Sequence, residues 1–107
     1  MMKPKESDWK KFGDSLDKWR ERYFKRKNAE IRAIIEENNL SETEKFWDMV
    51  DFQKKESKKL RDCLDGTFRS NMILHMALMK KYEMIGREEI AAFSEELQKI
   101  LKELERG

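Results

Sequence analysis

The sequence contains little of the material from which strands, tight turns and disulfides are built. Its 107 residues include one Cys, one Pro, four Gly, one Val and two Thr. Val and Thr favour strands, whereas Gly and Pro punctuate the turns between them. This composition excludes a β-sandwich, a β-barrel and a dinucleotide-binding fold, and it predicts an all-α protein.

The single cysteine and the lack of a long apolar run limit the cellular compartments in which we expect this protein. Cys63 alone can form neither an internal disulfide nor a cysteine-rich zinc site, so we expect a protein of the reducing cytoplasm with no metal and no cofactor. The longest apolar run, Met72 to Met79, is interrupted by His75, and no apolar stretch follows the first basic residues. We therefore expect neither a signal peptide nor a contact with membranes.

Charge is abundant and balanced. Charged residues make up 43% of the chain, with 24 basic against 22 acidic side chains. Such a balance favours folded helices that carry many ion pairs over a self-repelling disordered chain. The length suits one helical domain covering residues 1–107.

Capping residues and glycines divide the chain into four predicted helices. Ser41 and Glu44 have the spacing of a capping box, while Gly66 and Gly86 mark helix ends. The interior Gly13 is expected to lie within one continuous helix, and Ser94 is expected to kink the last one. We predict a four-helix bundle with a long N-terminal helix, the helices covering about 8–37, 42–64, 68–84 and 88–105.

Five large apolar residues recur on one face of predicted helix one at spacings of three and four: Trp9, Phe12, Leu16, Trp19 and Tyr23. A helix of 30 residues spans about 45 Å, which exceeds the diameter of about 34 Å expected for a compact chain of this size. We therefore predict a homodimer in which this stripe packs on its counterpart in a second copy. The alternatives are that helices two to four cover the stripe, or that Gly13 breaks helix one.

A basic ridge runs along the opposite side of helix one and consists of Lys11, Lys18, Arg22 and Lys25. Acidic residues one turn away, such as Asp14 and Glu21, are placed to neutralise part of it. We interpret the ridge first as a solvated face. Nucleic-acid binding is the alternative, and binding to a membrane surface is favoured least.

The apolar stripe of predicted helix two consists of Phe46, Val50, Leu60 and Leu64, and polar residues interrupt it opposite the only histidine. If helices two and three form an antiparallel hairpin, Ser57 lies opposite His75, with Gln53 and Glu56 beside it. We predict an internal polar cluster of Gln53, Glu56, Ser57 and His75 that fixes the helix register. The functional alternative is a pocket in which Glu56 orients His75 for proton transfer or for binding an anion.

The segment from Arg69 to His75 resembles the signature of the HEPN family of small helical ribonucleases, in which an Arg precedes a His by a few residues. The resemblance covers seven residues, and Ser70 stands where the family usually has Asn, Asp or His. It implies that Arg69 and His75 act together on an RNA phosphate in a dimer.

Taken together, these patterns favour a small, non-enzymatic helical module for protein–protein interaction that associates with itself. A nucleic-acid-binding protein using the basic ridge and a ribonuclease using Arg69 and His75 are the alternatives. No nucleophile with a neighbouring base, no phosphate-binding loop and no metal-ligand set stands out in the sequence.

Overall fold

A computed structural model describes residues 3–106 and shows an all-helical protein, with no strand in that range. It contains five α-helices and one short 3-10 turn at Arg69–Asn71. The α-helices are α1 (Glu6–Glu36), α2 (Glu42–Leu64), α3 (Met72–Lys81), α4 (Arg87–Ala91) and α5 (Glu95–Arg106). No helix among these residues is both long and apolar enough to cross a membrane.

The two long helices form a hairpin close to the predicted positions. α1 runs for 31 residues without a break at Gly13. The turn that follows ends at Ser41, whose side chain accepts a hydrogen bond of 3.1 Å from the Glu44 amide and caps α2. α2 ends before Gly66, which adopts a left-handed conformation with φ of 63°.

The predicted third helix is shorter than expected. The Asn71 side chain accepts a hydrogen bond from the Phe68 amide and donates one to the Gly66 carbonyl, at 2.7 and 2.8 Å. These bonds hold residues 66–71 in a turn, so α3 begins only at Met72. It stops at Lys81, where Glu83 adopts a positive φ of 59°.

The predicted fourth helix, 88–105, is divided around Ser94 into α4 and α5, where the sequence predicted only a kink, so the described residues form five α-helices in place of the four predicted. Asp8 of α1, which is far from Ser94 in the sequence, stabilises this division. Its carboxylate accepts hydrogen bonds from the Ser94 amide and hydroxyl at 2.9 and 2.5 Å. Asp8 thereby fixes the start of α5 against the start of α1.

The core lies at one end of the hairpin. α3 packs on α2, α5 packs on α3, and Phe93 packs against Trp19 of α1 with ring centroids 6.1 Å apart. From residue 24 to residue 62, by contrast, no apolar side chain is fully buried. This half of the hairpin projects beyond the part against which the C-terminal segment packs. The molecule is therefore elongated and measures 51 × 24 × 23 Å.

Two glycines of this fold should respond oppositely to alanine. Gly13 is exposed in mid-helix with open space around its Cα, so Gly13→Ala should raise the free energy of unfolding by about 1 kcal/mol. Gly66→Ala should lower it by about 1 kcal/mol or more, because alanine disfavours a positive φ. Urea denaturation measures both changes in the free energy of unfolding. If α1 were broken at Gly13, the substitution Gly13→Ala would instead be neutral or destabilising.

Candidate functional site

The aromatic stripe of α1 is covered by its own chain. Phe12, Trp19 and Tyr23 are 1%, 5% and 2% exposed, and Trp9 and Leu16 are half-buried and packed against the same core. Phe93 of the C-terminal segment packs on Trp19, and the Tyr23 hydroxyl donates to Glu56 of α2. The prediction that this stripe faces a second copy is therefore wrong, because Phe12, Trp19 and Tyr23 have no surface left to offer.

The basic ridge of α1 is divided between two roles. Lys11 donates a hydrogen bond to the Ala92 carbonyl at 2.7 Å, while Arg22 pairs with Glu89 and donates to the Met84 carbonyl at 3.0 Å. These two residues anchor the C-terminal segment on α1. Lys18 and Lys25 remain exposed. All four basic side chains stay exposed, so nucleic-acid binding by the ridge remains a prediction, although Lys11 and Arg22 also bond within the fold.

The polar residues predicted to cluster around His75 lie in three different places. Gln53 and Ser57 are exposed, and the Ser57 hydroxyl donates to the Lys54 carbonyl within its own helix at 3.0 Å. Glu56 is buried against α1, and His75 lies 2.7 Å from the Cys63 carbonyl through Nδ1. The predicted cluster is therefore wrong. The turn at residues 66–71 shifts α3 along α2, so His75 lies beside Cys63 and not beside Ser57.

Arg69 and His75, the pair in the ribonuclease resemblance, are engaged separately. Arg69 donates two hydrogen bonds to the Pro4 carbonyl, at 3.0 and 3.3 Å from its nitrogens, and so holds the N-terminus. His75 is 8% exposed and bonded to Cys63. Arg69 and His75 therefore bond to different carbonyl groups, and among the described residues they share no hydrogen-bond partner.

The buried Glu56 forms a polar network with Tyr23, Lys27 and Lys59, whereas the sequence predicted that it lies beside His75. Its carboxylate accepts a hydrogen bond of 2.7 Å from the Tyr23 hydroxyl and lies 3.3 and 3.4 Å from the ammonium groups of Lys27 and Lys59. Burial alone would raise the pKa of Glu56, but the Tyr23 hydrogen bond and the two lysines outweigh it and lower that pKa. Burial and the bond to Glu56 raise the pKa of Tyr23 above its ordinary range. The proton therefore stays on Tyr23, and Glu56 is ionised.

A pair of exposed aromatic side chains lies on the projecting half of the hairpin. Phe46 and Trp47 of α2 are 60% and 58% exposed, and their rings contact each other edge to face with centroids 5.2 Å apart. Ile35 of α1 is 48% exposed, and Ile31 and Val50 are half-buried. We call these five residues the apolar outer face.

The orientation of this face follows from the position of Tyr82, which comes directly after α3. Arg26 of α1, Lys59 of α2 and Tyr82 line one cavity, which identifies the side of the hairpin that α3 covers. At about 100° per residue, Phe46 and Val50 lie about 140° and 180° around α2 from Lys59. Ile31 and Ile35 lie equally far around α1 from Arg26. The apolar outer face is therefore turned away from the C-terminal segment, and its Phe46, Trp47 and Ile35 side chains stay largely exposed.

Acidic residues are frequent in the sequence around Phe46 and Trp47. Five acidic side chains and one basic one lie in residues 37–51, which include Phe46 and Trp47. Residues 25–36 of α1, by contrast, carry four basic and two acidic side chains. The projecting half of the hairpin thus has an acidic helix beside a basic one.

A second apolar groove lies between α3 and α5, lined by Leu74, Leu78 and Leu104 among others. Its lining contains no aromatic residue, and two of its leucines, Leu74 and Leu104, are 46% and 37% exposed. Among residues 3–106, no group of three potential metal ligands lies close enough to hold an ion.

Sequence reasoning placed Phe46 and Val50 in the core stripe of α2 and did not single out Trp47. A signal was present nevertheless. Adjacent residues in a helix point about 100° apart, so Phe46 and Trp47 cannot both lie on a narrow buried stripe. One of the two aromatic side chains therefore has to lie outside the buried stripe.

Comparison with protein-family models, with curated proteins and with solved structures finds no significant match to this chain. The functional argument therefore depends on the surface and its chemistry.

The Glu56 network makes stability depend on pH. Its pKa is lower in the folded state than the ordinary 4.5, so its contribution is fully present above that pH and is lost as the pH falls through the folded-state pKa. Glu56→Gln should lower the free energy of unfolding by about 2 kcal/mol at pH 7 and by much less near pH 3. Urea denaturation at both pH values measures the difference.

The matched control for this prediction is Glu103→Gln, which alters an exposed carboxylate on α5. It should change the free energy of unfolding by less than about 0.5 kcal/mol at either pH. If Glu56→Gln and Glu103→Gln gave the same pH dependence, the buried network would not stabilise the hairpin.

Proposed function

We propose that this chain is a small, non-enzymatic helical module for protein–protein interaction, and that the apolar outer face of the projecting hairpin is its docking surface. One observation carries the proposal. Two neighbouring aromatic side chains, Phe46 and Trp47, are more than half exposed on a part of the molecule that no other element covers. Aromatic residues are enriched at protein interfaces and are seldom left in contiguous exposed groups.

The architecture supports this role. Tight packing of α3, α4 and α5 is confined to the first half of the hairpin, so the globular part holds the projecting part in a fixed orientation. A rigid scaffold that presents two helices side by side suits a partner that packs helices against them. The groups that would otherwise suggest chemistry, His75 and Glu56, are buried and bonded within the fold.

The charges around the face favour a protein partner over a lipid or a nucleic acid. Glu42, Glu44, Asp48 and Asp51 flank Phe46 and Trp47 along the sequence of α2. These carboxylates repel both the phosphates of nucleic acids and the anionic headgroups that attract basic amphipathic helices. A protein surface with apolar and basic side chains complements the face.

Site-specific photocrosslinking tests the proposal. With p-benzoylphenylalanine at position 47, irradiation should yield protein adducts, including adducts with the chain itself, because the position lies within the docking surface. The matched control is the same probe at position 68, since Phe68 is 64% exposed but lies beyond α2, away from the outer face. Denaturing electrophoresis and mass spectrometry identify the adducts.

We expect adducts at position 47 to exceed those at position 68 by at least several-fold. Equal yields at the two positions, or adducts at position 47 with lipid or nucleic acid in place of protein, would contradict the proposed function.

A further inference from the structure

A cleft lies at the junction of α1, α2 and the end of α3. Four cationic side chains from these helices line one open cavity of about 390 Å³: Arg26, Lys27, Lys59 and Lys81. We call these four residues the basic cleft. Cavities of this volume are typical of sites for small molecules. The basic cleft lies on the side of the hairpin away from Phe46 and Val50, so a ligand in it leaves the apolar outer face free.

Glu56 fixes two of these cations from inside the hairpin. Its Oε1 lies 3.3 Å from Lys27 Nζ and 3.4 Å from Lys59 Nζ. The Lys27 ammonium also pairs with Glu30, at 3.0 Å. Lys59 has no second carboxylate partner among the described residues, and an ammonium group has three N–H donors. Lys59 is therefore held in place and still has donors for a ligand.

Tyr82 brings Lys81 to the same cleft. The ammonium groups of Lys59 and Lys81 lie 5.6 and 5.8 Å from the centre of its ring, at the distance of cation–π contacts. Within residues 3–106, no ion pair includes Lys81 or Arg26, and both side chains are exposed. The fold therefore leaves these two charges for a ligand.

The charges of the basic cleft do not cancel. Glu30 and Glu83 also line the cavity, and Glu56 lies behind Lys27 and Lys59. Four positive charges thus face three negative ones. The ligand that complements this balance is an anion of low charge.

We propose that the basic cleft binds a small molecule through a phosphate group. Its donors, one guanidinium and three ammonium groups, come from three helices and approach from different directions. The tetrahedral oxygens of a phosphate group suit such donors, whereas a single arginine satisfies the two coplanar oxygens of a carboxylate. The exposed carboxylates of Glu30 and Glu83 repel the neighbouring phosphates of a nucleic acid, so the cleft suits one phosphate group.

The backbone is strained at Glu83, beside the basic cleft. Its φ of 59° is the one positive value for a non-glycine residue in the part of the chain that the structure describes, at a helix end where glycine is usual. Strained positions of this kind concentrate at ligand sites. The next residue, Met84, accepts a hydrogen bond from Arg22 of α1 at 3.0 Å. The wall that carries Lys81 and Tyr82 is therefore anchored to α1 before a ligand binds.

Titration of the ¹⁵N-labelled chain with inorganic phosphate at pH 7 and constant ionic strength tests the proposal. In two-dimensional NMR spectra, the amide signals of Arg26, Lys59 and residues 81–83 should shift and saturate with one Kd in the millimolar range. Such weak binding is expected because the four cations are partly hydrated and partly neutralised. Sodium chloride should cause no saturable shift, and acetate should bind at least several-fold more weakly than phosphate.

Substitutions locate the binding. Arg26→Gln/Lys81→Gln should bind phosphate at least tenfold more weakly and stay folded by circular dichroism, because both side chains are exposed and form no ion pair within residues 3–106. The matched control, Lys10→Gln/Lys18→Gln, removes the same charge from the exposed start of α1 and should bind like the unmodified chain. Glu83→Gln should bind several-fold more tightly, since it removes a carboxylate from the cleft.

Three results would overturn the proposal. The first is a set of shifts that do not saturate, or that are as large at Lys10 and Lys18 as at residues 81–83, because these indicate loose association with exposed charges. The second is equal binding by the two double variants. The third is displacement of phosphate from the cleft by a single-stranded RNA decamer or by vesicles containing phosphatidic acid at the same phosphate concentration, because the ligand would then be a polyanion or a lipid surface.

Discussion

The contact between Trp19 of α1 and Phe93 of the C-terminal segment is the packing on which the architecture depends. Around it, Phe12, Tyr23 and the methionines of α3 form the one continuous core. Burial of these large side chains provides most of the favourable free energy of folding. Because the C-terminal segment is shorter than the hairpin, it covers only the first half of α1. The second half of α1, the longest helix, therefore packs beside α2 without cover from the C-terminal segment.

The Tyr23–Glu56 bond lies at the boundary between the covered and the uncovered halves. Beyond it, the hairpin has no fully buried apolar residue, and the space between α1 and α2 is filled by half-buried side chains. A buried carboxylate is tolerated there because a hydroxyl and two ammonium groups satisfy it. The same bond ties the projecting half to the core, so the outer face is presented on helices whose register is fixed.

The anchoring of the C-terminal segment explains why polar features of the sequence do not assemble into a reactive site. Lys11, Arg22 and Asp8 bind backbone groups or side chains between residues 84 and 94, and Arg69 binds the Pro4 carbonyl. These residues attach one layer to another. Phe46 and Trp47, in contrast, are more than half exposed, which is why they carry the functional proposal.

The sequence by itself determined the all-α class, the capped start of α2 and the uninterrupted course of α1, because these depend on neighbours within one or two turns. At Ser94 it predicted a kink, whereas the structure has a full break at the residue that bonds to the distant Asp8. It also indicated that α1 is too long for a compact globule. Only the tertiary structure decided which apolar face is covered and which polar residues meet. A turn of six residues shifts α3 along α2 and separates His75 from Ser57, and periodicity carries no information on such a shift. For the same reason, the stripe of Trp19 and Tyr23 and the pair Phe46 and Trp47 look alike in sequence, while the short C-terminal segment can cover only the first of them.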